Sequence, residues 1–127
     1  MLEHYFLSYY SALDWPNLNG LEYKDLAELL NKKYQEFVLE IEKITHGKIS
    51  NYFIMFFEAY NNNPNFREKV RGFYEKLEQL LFLKLQKSHS DEAIAKAKAV
   101  DLIAHFEGMF FYHAVFPEKI SQRDLGA

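Results

Sequence analysis

The chain has 127 residues and a mass of 15.1 kDa, which is the usual size of one domain. Its 15 basic and 18 acidic residues give a net charge of −3, so it lacks the basic excess that is typical of a nucleic-acid-binding protein. Cysteine is absent, which excludes disulfides, thiolate metal sites and a cysteine nucleophile.

Proline and glycine divide the chain into segments whose apolar residues recur every three or four positions, the period of an α-helix. The first segment, residues 2–13, is short and aromatic, and residues 14–20 predict a turn or loop. Residues 22–45 predict a helix with one apolar stripe, followed by Gly47 as a left-handed cap residue.

Residues 48–61 predict a helix that is apolar nearly all round, with Glu58 as the charged residue in its aromatic part. Such a helix is usually packed on several sides, so we expect it at the centre of the fold. Asn63 is predicted to cap the next helix, residues 64–87, with Pro64 at its first position.

Residues 91–116 predict a last long helix with Ser90 as its N-cap, and residues 118–127 predict a polar tail. Small and bulky residues follow separate lines along this helix. Small residues at helical spacing let a second helix approach closely, either within the monomer or in an isologous dimer. We expect the dimer, with an interface of Ala97, Ala104, Gly108, Phe111 and Val115. The whole predicts an all-α antiparallel bundle of about five helices in a single domain, residues 1–127.

Catalytic and metal-binding patterns are weak. No Glu-x-x-His pair is present, and Asp101 with His105, four residues apart, is interpreted as a surface pair rather than a metal site. His105 and His113 are either histidines at the edge of the core or polar anchors in a ligand pocket. We expect no catalytic residue, no metal and no cofactor, and hence no enzyme.

The aromatic segment from Ile49 to Tyr60 has two interpretations. It is either a dense core or the wall of an apolar pocket in which tyrosine hydroxyls supply sparse polarity. The N-terminal residues lack the features of a signal peptide, and no charge-free stretch is long enough to cross a bilayer. We therefore expect a cytoplasmic protein that does not bind membranes.

The order of these segments resembles the C-terminal domain of TetR-family transcriptional regulators. Residues 52–60 followed by 63–67 resemble the family's aromatic helix and the Asn-Pro-x-x-Arg-like start of the long helix after it. Residues 99–109, which end in Glu-Gly-Met, resemble the family's penultimate dimerisation helix. Residues 2–6 resemble the helix that joins the DNA-binding domain to the ligand domain, and the resemblance extends to about residue 116.

The resemblance implies an effector-binding and dimerisation domain without the family's helix-turn-helix, so that this chain itself binds no nucleic acid. Residues 1–13 would be the end of the linking helix. A homodimer would hold a small apolar or amphipathic ligand in a helical pocket, with His105 or Tyr74 as polar anchors. The predicted lining is Tyr34, Tyr52, Phe56, Phe73, Tyr74, Leu77, His105, Phe106 and Phe110.

A second hypothesis is a structural or interaction domain that dimerises or recruits a partner helix and binds no small molecule. In that case the aromatic residues fill the core, and no cavity of ligand size is expected.

Overall fold

The computed structural model describes residues 13–88 and 91–119. Over these residues the chain forms helices joined by short connections and contains no strand, so the predicted all-α bundle is confirmed. The elements are α1 (Trp15–Asn19), α2 (Tyr23–Ile44), α3 (Ile49–Asn62), α4 (Pro64–Gln86), α5 (Glu92–Val115) and a 3₁₀ turn (Pro117–Lys119). Of the predicted linking segment only Leu13 is described, and residues 120–127 of the predicted tail also lie outside the described residues.

Helix α1 lies where the sequence predicted a turn or loop. The Asp14 side chain caps it by accepting a hydrogen bond from the Asn17 amide at 3.4 Å. Lys84 of α4 is buried, and its ammonium group donates a hydrogen bond to the Asn19 carbonyl at the other end of α1. The segment is helical because both of its ends are satisfied by side chains, although it is too short for the apolar period to show.

Helix α2 ends in a Schellman motif. The Gly47 amide donates to the Glu42 carbonyl at 2.8 Å, and the His46 amide donates to the Lys43 carbonyl at 3.3 Å. Gly47 has the predicted positive φ, at 83°, and His46 shares it at 53°. The left-handed turn therefore spans two residues, of which only one is glycine.

The starts of α4 and α5 show one predicted cap and one different cap. Asn63 accepts a hydrogen bond from the Phe66 amide at 3.1 Å, with Pro64 in the first turn, as predicted. Asp91, rather than the predicted Ser90, caps α5, because its carboxylate accepts a hydrogen bond from the Ala93 amide at 2.9 Å. A carboxylate at this position also interacts favourably with the helix dipole.

Helix α4 packs against α2, α3 and α5 and contributes the largest set of buried side chains. Helix α3 also contacts α2, α4 and α5, but its apolar residues are not buried nearly all round, so its predicted central position is wrong. Only one stripe of α3 is buried, while Ile54 and Phe57 are 64% and 52% exposed. Apolar periodicity alone cannot distinguish a face buried within the chain from one left for a partner.

Two glycine substitutions test the backbone assignments. Gly72→Ala should stabilise the fold by about 0.5–1 kcal/mol, because Gly72 lies inside α4 and an added Cβ meets nothing within 4 Å. Gly47→Ala should destabilise it by about 1 kcal/mol, because an L side chain is strained at φ 83°. Urea unfolding of the two variants measures both values, and a stabilised Gly47→Ala would contradict the Schellman turn.

Candidate functional site

A cavity of about 920 Å³ lies between α2, α3, α4 and α5. Its size is that of a site for a drug-sized ligand. Eight of the nine side chains predicted as pocket lining lie in its wall. They are Tyr34, Tyr52, Phe56, Phe73, Tyr74, Leu77, Phe106 and Phe110.

The wall is built from the apolar stripes of four helices. On α3, Tyr52, Phe56 and Tyr60 follow one another at intervals of four residues and so lie on one face. Val70, Phe73 and Leu77 do the same on α4 at intervals of three and four. The cavity forms where stripes of large aromatic side chains converge.

The aromatic rings of the wall contact one another in ordered geometries. Tyr34 stacks on Phe106 with ring centroids 5.4 Å apart, and Tyr52 stacks on Phe110 at 5.3 Å. Phe37 meets Phe110 edge to face at 5.6 Å. Offset stacking and edge-to-face contacts are the favoured arrangements of aromatic pairs, so these rings stabilise one another as well as the wall.

A carboxyl group stands within this aromatic wall. Glu107 of α5 is partly buried and lines the cavity. Its Oε2 accepts hydrogen bonds from the hydroxyls of Tyr34 on α2 and Tyr74 on α4, the latter at 2.8 Å. One oxygen atom therefore joins three helices at the cavity.

The surroundings shift the proton affinities of these groups. Burial raises the pKa of Glu107 above its ordinary value, and the two tyrosine hydrogen bonds offset part of that rise. Burial, and then the Glu107 charge, raise the pKa values of Tyr34, Tyr74 and Tyr52. All three tyrosines are therefore neutral at neutral pH, and Tyr34 and Tyr74 donate hydrogen bonds to Glu107 in that state.

Glu107 is a polar residue of the cavity wall that the sequence reasoning did not predict as a site residue. A signal was present, since it is the one acidic residue between Leu102 and Phe116, in an otherwise apolar and aromatic part of the last helix. The prediction that His105 is a polar anchor in the pocket needs correction, because its side chain is exposed and does not line the cavity. His113 is buried.

Charged side chains lie around the cavity besides Glu107. Lys33 and Arg71 contribute basic groups, and Glu75 and Glu78 of α4 contribute carboxylates. Lys33 lies 3.6 Å from Glu36 in an ion pair along α2. The wall is therefore apolar in its rings and mixed in charge elsewhere, with an excess of acidic groups.

All five residues of the predicted dimer interface are exposed on α5. Together with exposed Asp101 they alternate at intervals of four and three residues, which is the period of a helix-packing seam. We call this set, Ala97, Asp101, Ala104, Gly108, Phe111 and Val115, the α5 seam. Gly108 and Phe111 of the seam also line the cavity.

No helix in residues 13–88 and 91–119 is long and apolar enough to span a membrane. Within the same residues, no group of three or more His, Cys, Asp or Glu side chains is arranged to hold a metal ion.

Comparisons with known proteins identify no relative: no protein-family model matches the chain, and no curated protein or solved structure matches it.

Replacing Glu107 should change how the stability of the fold depends on pH. In the folded chain the pKa of Glu107 lies above its ordinary value of 4.5, so between these two values the folded state binds more protons than the unfolded state. The wild type should therefore lose stability relative to Glu107→Gln as the pH rises through that window. Urea unfolding of both proteins from about pH 4 to about pH 8 measures the difference.

The comparison isolates Glu107 because the other groups that face it are the same in both proteins. Tyr34, Tyr52 and Tyr74 titrate far above this window. The nearby charges of Lys33, Arg71, Glu75 and Glu78 are common to wild type and variant. A stability difference that is constant with pH would show that Glu107 titrates as it does in the unfolded chain.

Proposed function

We propose that the chain is a small-molecule-binding and dimerisation domain of a TetR-like transcriptional regulator. The observation that carries the proposal is the 920 Å³ cavity between four helices, whose wall contains eight of the nine side chains that the sequence predicted for a ligand pocket. A dense aromatic core, the main alternative, would leave no space of that size. The ligand is a small apolar or amphipathic molecule, which suits a wall of aromatic rings with few polar groups.

The α5 seam supports the dimer part of the proposal. Alanine and glycine in the seam leave room for a second helix backbone, while Phe111 and Val115, 61% and 54% exposed, supply apolar area. Two copies of the same seam can pack across a two-fold axis, because an isologous interface pairs a surface patch with itself. Helix α5 resembles the dimerisation helix of the family, which favours a second copy as the occupant.

Two residues are shared by the cavity wall and the proposed dimer interface. Gly108 and Phe111 lie both in the cavity wall and in the α5 seam. A ligand that alters the position of α5 would therefore alter the interface as well. Such a ligand shifts the dimer geometry only to the extent that it binds one geometry more tightly than the other. In an intact regulator this shift would change the spacing of two DNA-binding domains.

A structural or interaction domain is the second candidate function. The observation that favours it is the exposed apolar face of α3, where Ile54, Met55 and Phe57 are all about half exposed or more. Exposed apolar groups of this kind mark interaction surfaces in many soluble proteins. This function needs no occupant in the cavity.

Ligand binding is tested with 1-aminoanthracene, a neutral aromatic dye whose emission rises in apolar surroundings. Phe56 and Phe82 offer a matched pair, since they are 9% and 8% exposed and only Phe56 lines the cavity. Phe56→Leu should weaken dye binding roughly two- to tenfold through the lost ring contact. Phe82→Leu should leave the affinity unchanged.

Circular dichroism and thermal unfolding serve as controls that both leucine variants are folded. Native mass spectrometry of freshly purified protein adds the mass of any molecule that co-purifies. Equal dye affinity for wild type and a folded Phe56→Leu variant would remove the cavity from the proposal. An absence of dye binding by the wild type would favour the structural function.

Dimerisation is tested by placing a carboxylate in the α5 seam. Ala104→Glu and Val115→Glu should each raise the dimer dissociation constant at least about tenfold, since an unpaired charge buried in an interface is strongly unfavourable. Neither residue lines the cavity. Gln79→Glu, at an exposed position of α4, is the matched control and should have no effect. Sedimentation velocity measures all four proteins, and a wild-type monomer at micromolar concentration would refute the dimer.

A further inference from the structure

We propose that the cavity is selective for an organic cation, a monovalent amine or quaternary ammonium on an apolar body, whose positive charge lies against the Glu107 carboxylate. This inference rests on the proposed ligand-binding function and defines the chemical class of the ligand. It is carried by the position of one carboxylate among aromatic rings in the wall of a ligand-sized cavity.

The charge of Glu107 favours a cationic ligand. Glu107 takes part in neither the Lys33–Glu36 nor the Lys96–Glu92 ion pair. Its hydrogen bonds come from two neutral tyrosine hydroxyls, and both end on Oε2. A partly buried carboxylate without a positive partner is unfavourable in apolar surroundings. A cationic ligand supplies the missing charge at the cavity surface.

Glu107 also offers one carboxylate oxygen as an acceptor for a ligand. Within the described part of the chain no hydrogen bond ends on Oε1 of Glu107, while Tyr34 and Tyr74 hold Oε2 in place. An ammonium group that approaches Oε1 meets a carboxylate whose orientation is already determined by two donors. A protonated amine can donate a charge-assisted hydrogen bond to it, which is the stronger class, whereas a quaternary ammonium has no N–H and is attracted by the carboxylate charge alone.

The aromatic rings around Glu107 favour a cation as well. Tyr34, which donates to Glu107, stacks on Phe106 and meets Phe110 edge to face at 6.1 Å. The faces of aromatic rings carry partial negative charge and attract cations, and quaternary ammonium groups are typically bound in such aromatic surroundings. The same rings and the Glu107 charge repel an anion. A fatty acid, which the apolar volume alone would accept, is therefore disfavoured.

The basic groups of the wall do not reverse this preference. Lys33 is paired with Glu36, and Arg71 is exposed and lies near Tyr60 and the Glu75 carboxylate. With Glu78 and Glu107, the wall holds three carboxylates against these two basic groups. The net field in the cavity therefore favours a positive ligand.

The test uses three probes with the same ten-carbon chain and different charge: decyltrimethylammonium, decanol and decanoate. Each displaces bound 1-aminoanthracene from the full chain at concentrations below micelle formation. The cation should bind at least about tenfold more tightly than decanol, and decanoate should bind most weakly. Glu107→Gln should bring the affinity for the cation to within about twofold of the affinity for decanol. Glu58→Gln, at an exposed position of α3 outside the wall, is the control for net charge and should retain the wild-type ranking.

The ranking in the wild type tests the inference even where Glu107→Gln fails to fold. Decanol or decanoate binding as tightly as the cation would overturn the selectivity while leaving the ligand-binding function in place. An unchanged preference for the cation in a folded Glu107→Gln variant would overturn the assignment of Glu107. Failure of the dye and of all three probes to bind would overturn the proposed function itself.

Discussion

The carboxyl group of Glu107 is the point on which the cavity depends. It lies on α5 and accepts hydrogen bonds from tyrosine hydroxyls of α2 and α4. One polar cluster therefore sets the relative positions of three helices. Apolar contacts are non-directional and would allow these helices to slide together and close the space. Hydrogen bonds with defined geometry oppose that collapse. A ligand-sized volume thus persists among aromatic side chains that would otherwise pack into it.

Much of the wall could be predicted from the sequence because its residues belong to regular stripes. Tyr52 with Phe56, and Phe73 with Leu77, are each four residues apart, and any bundle that buries the two stripes brings these side chains together. The helices were predictable for the same reason. Helix α1 was not, because a single turn has no periodicity and depends on the Asp14 cap and on Lys84, which is distant in sequence.

The polar centre of the site was predicted less well than its apolar wall. Reasoning from apolar periodicity selects large hydrophobic residues, so it found Tyr34 and Tyr74 but passed over the carboxylate that they contact. His105 was chosen as the anchor instead. It lies two residues before Glu107, which on an α-helix is a rotation of about 200°, so the two side chains point to opposite sides of α5. One lines the cavity and the other is exposed.

Helix α5 has two apolar sides, and this arrangement links the cavity to the outer surface. Its buried side carries Phe106 and Phe110, while the α5 seam is exposed along the other side. Gly108 lies at the boundary, in the cavity wall and in the seam, and an added Cβ there meets nothing within 4 Å. Its packing within the chain therefore does not require glycine. In a dimer, by contrast, the absence of a side chain would let a second helix lie close to the cavity wall. A ligand and a second copy would then contact opposite sides of the same turn of α5, and a shift of that turn by either one would change the affinity for the other.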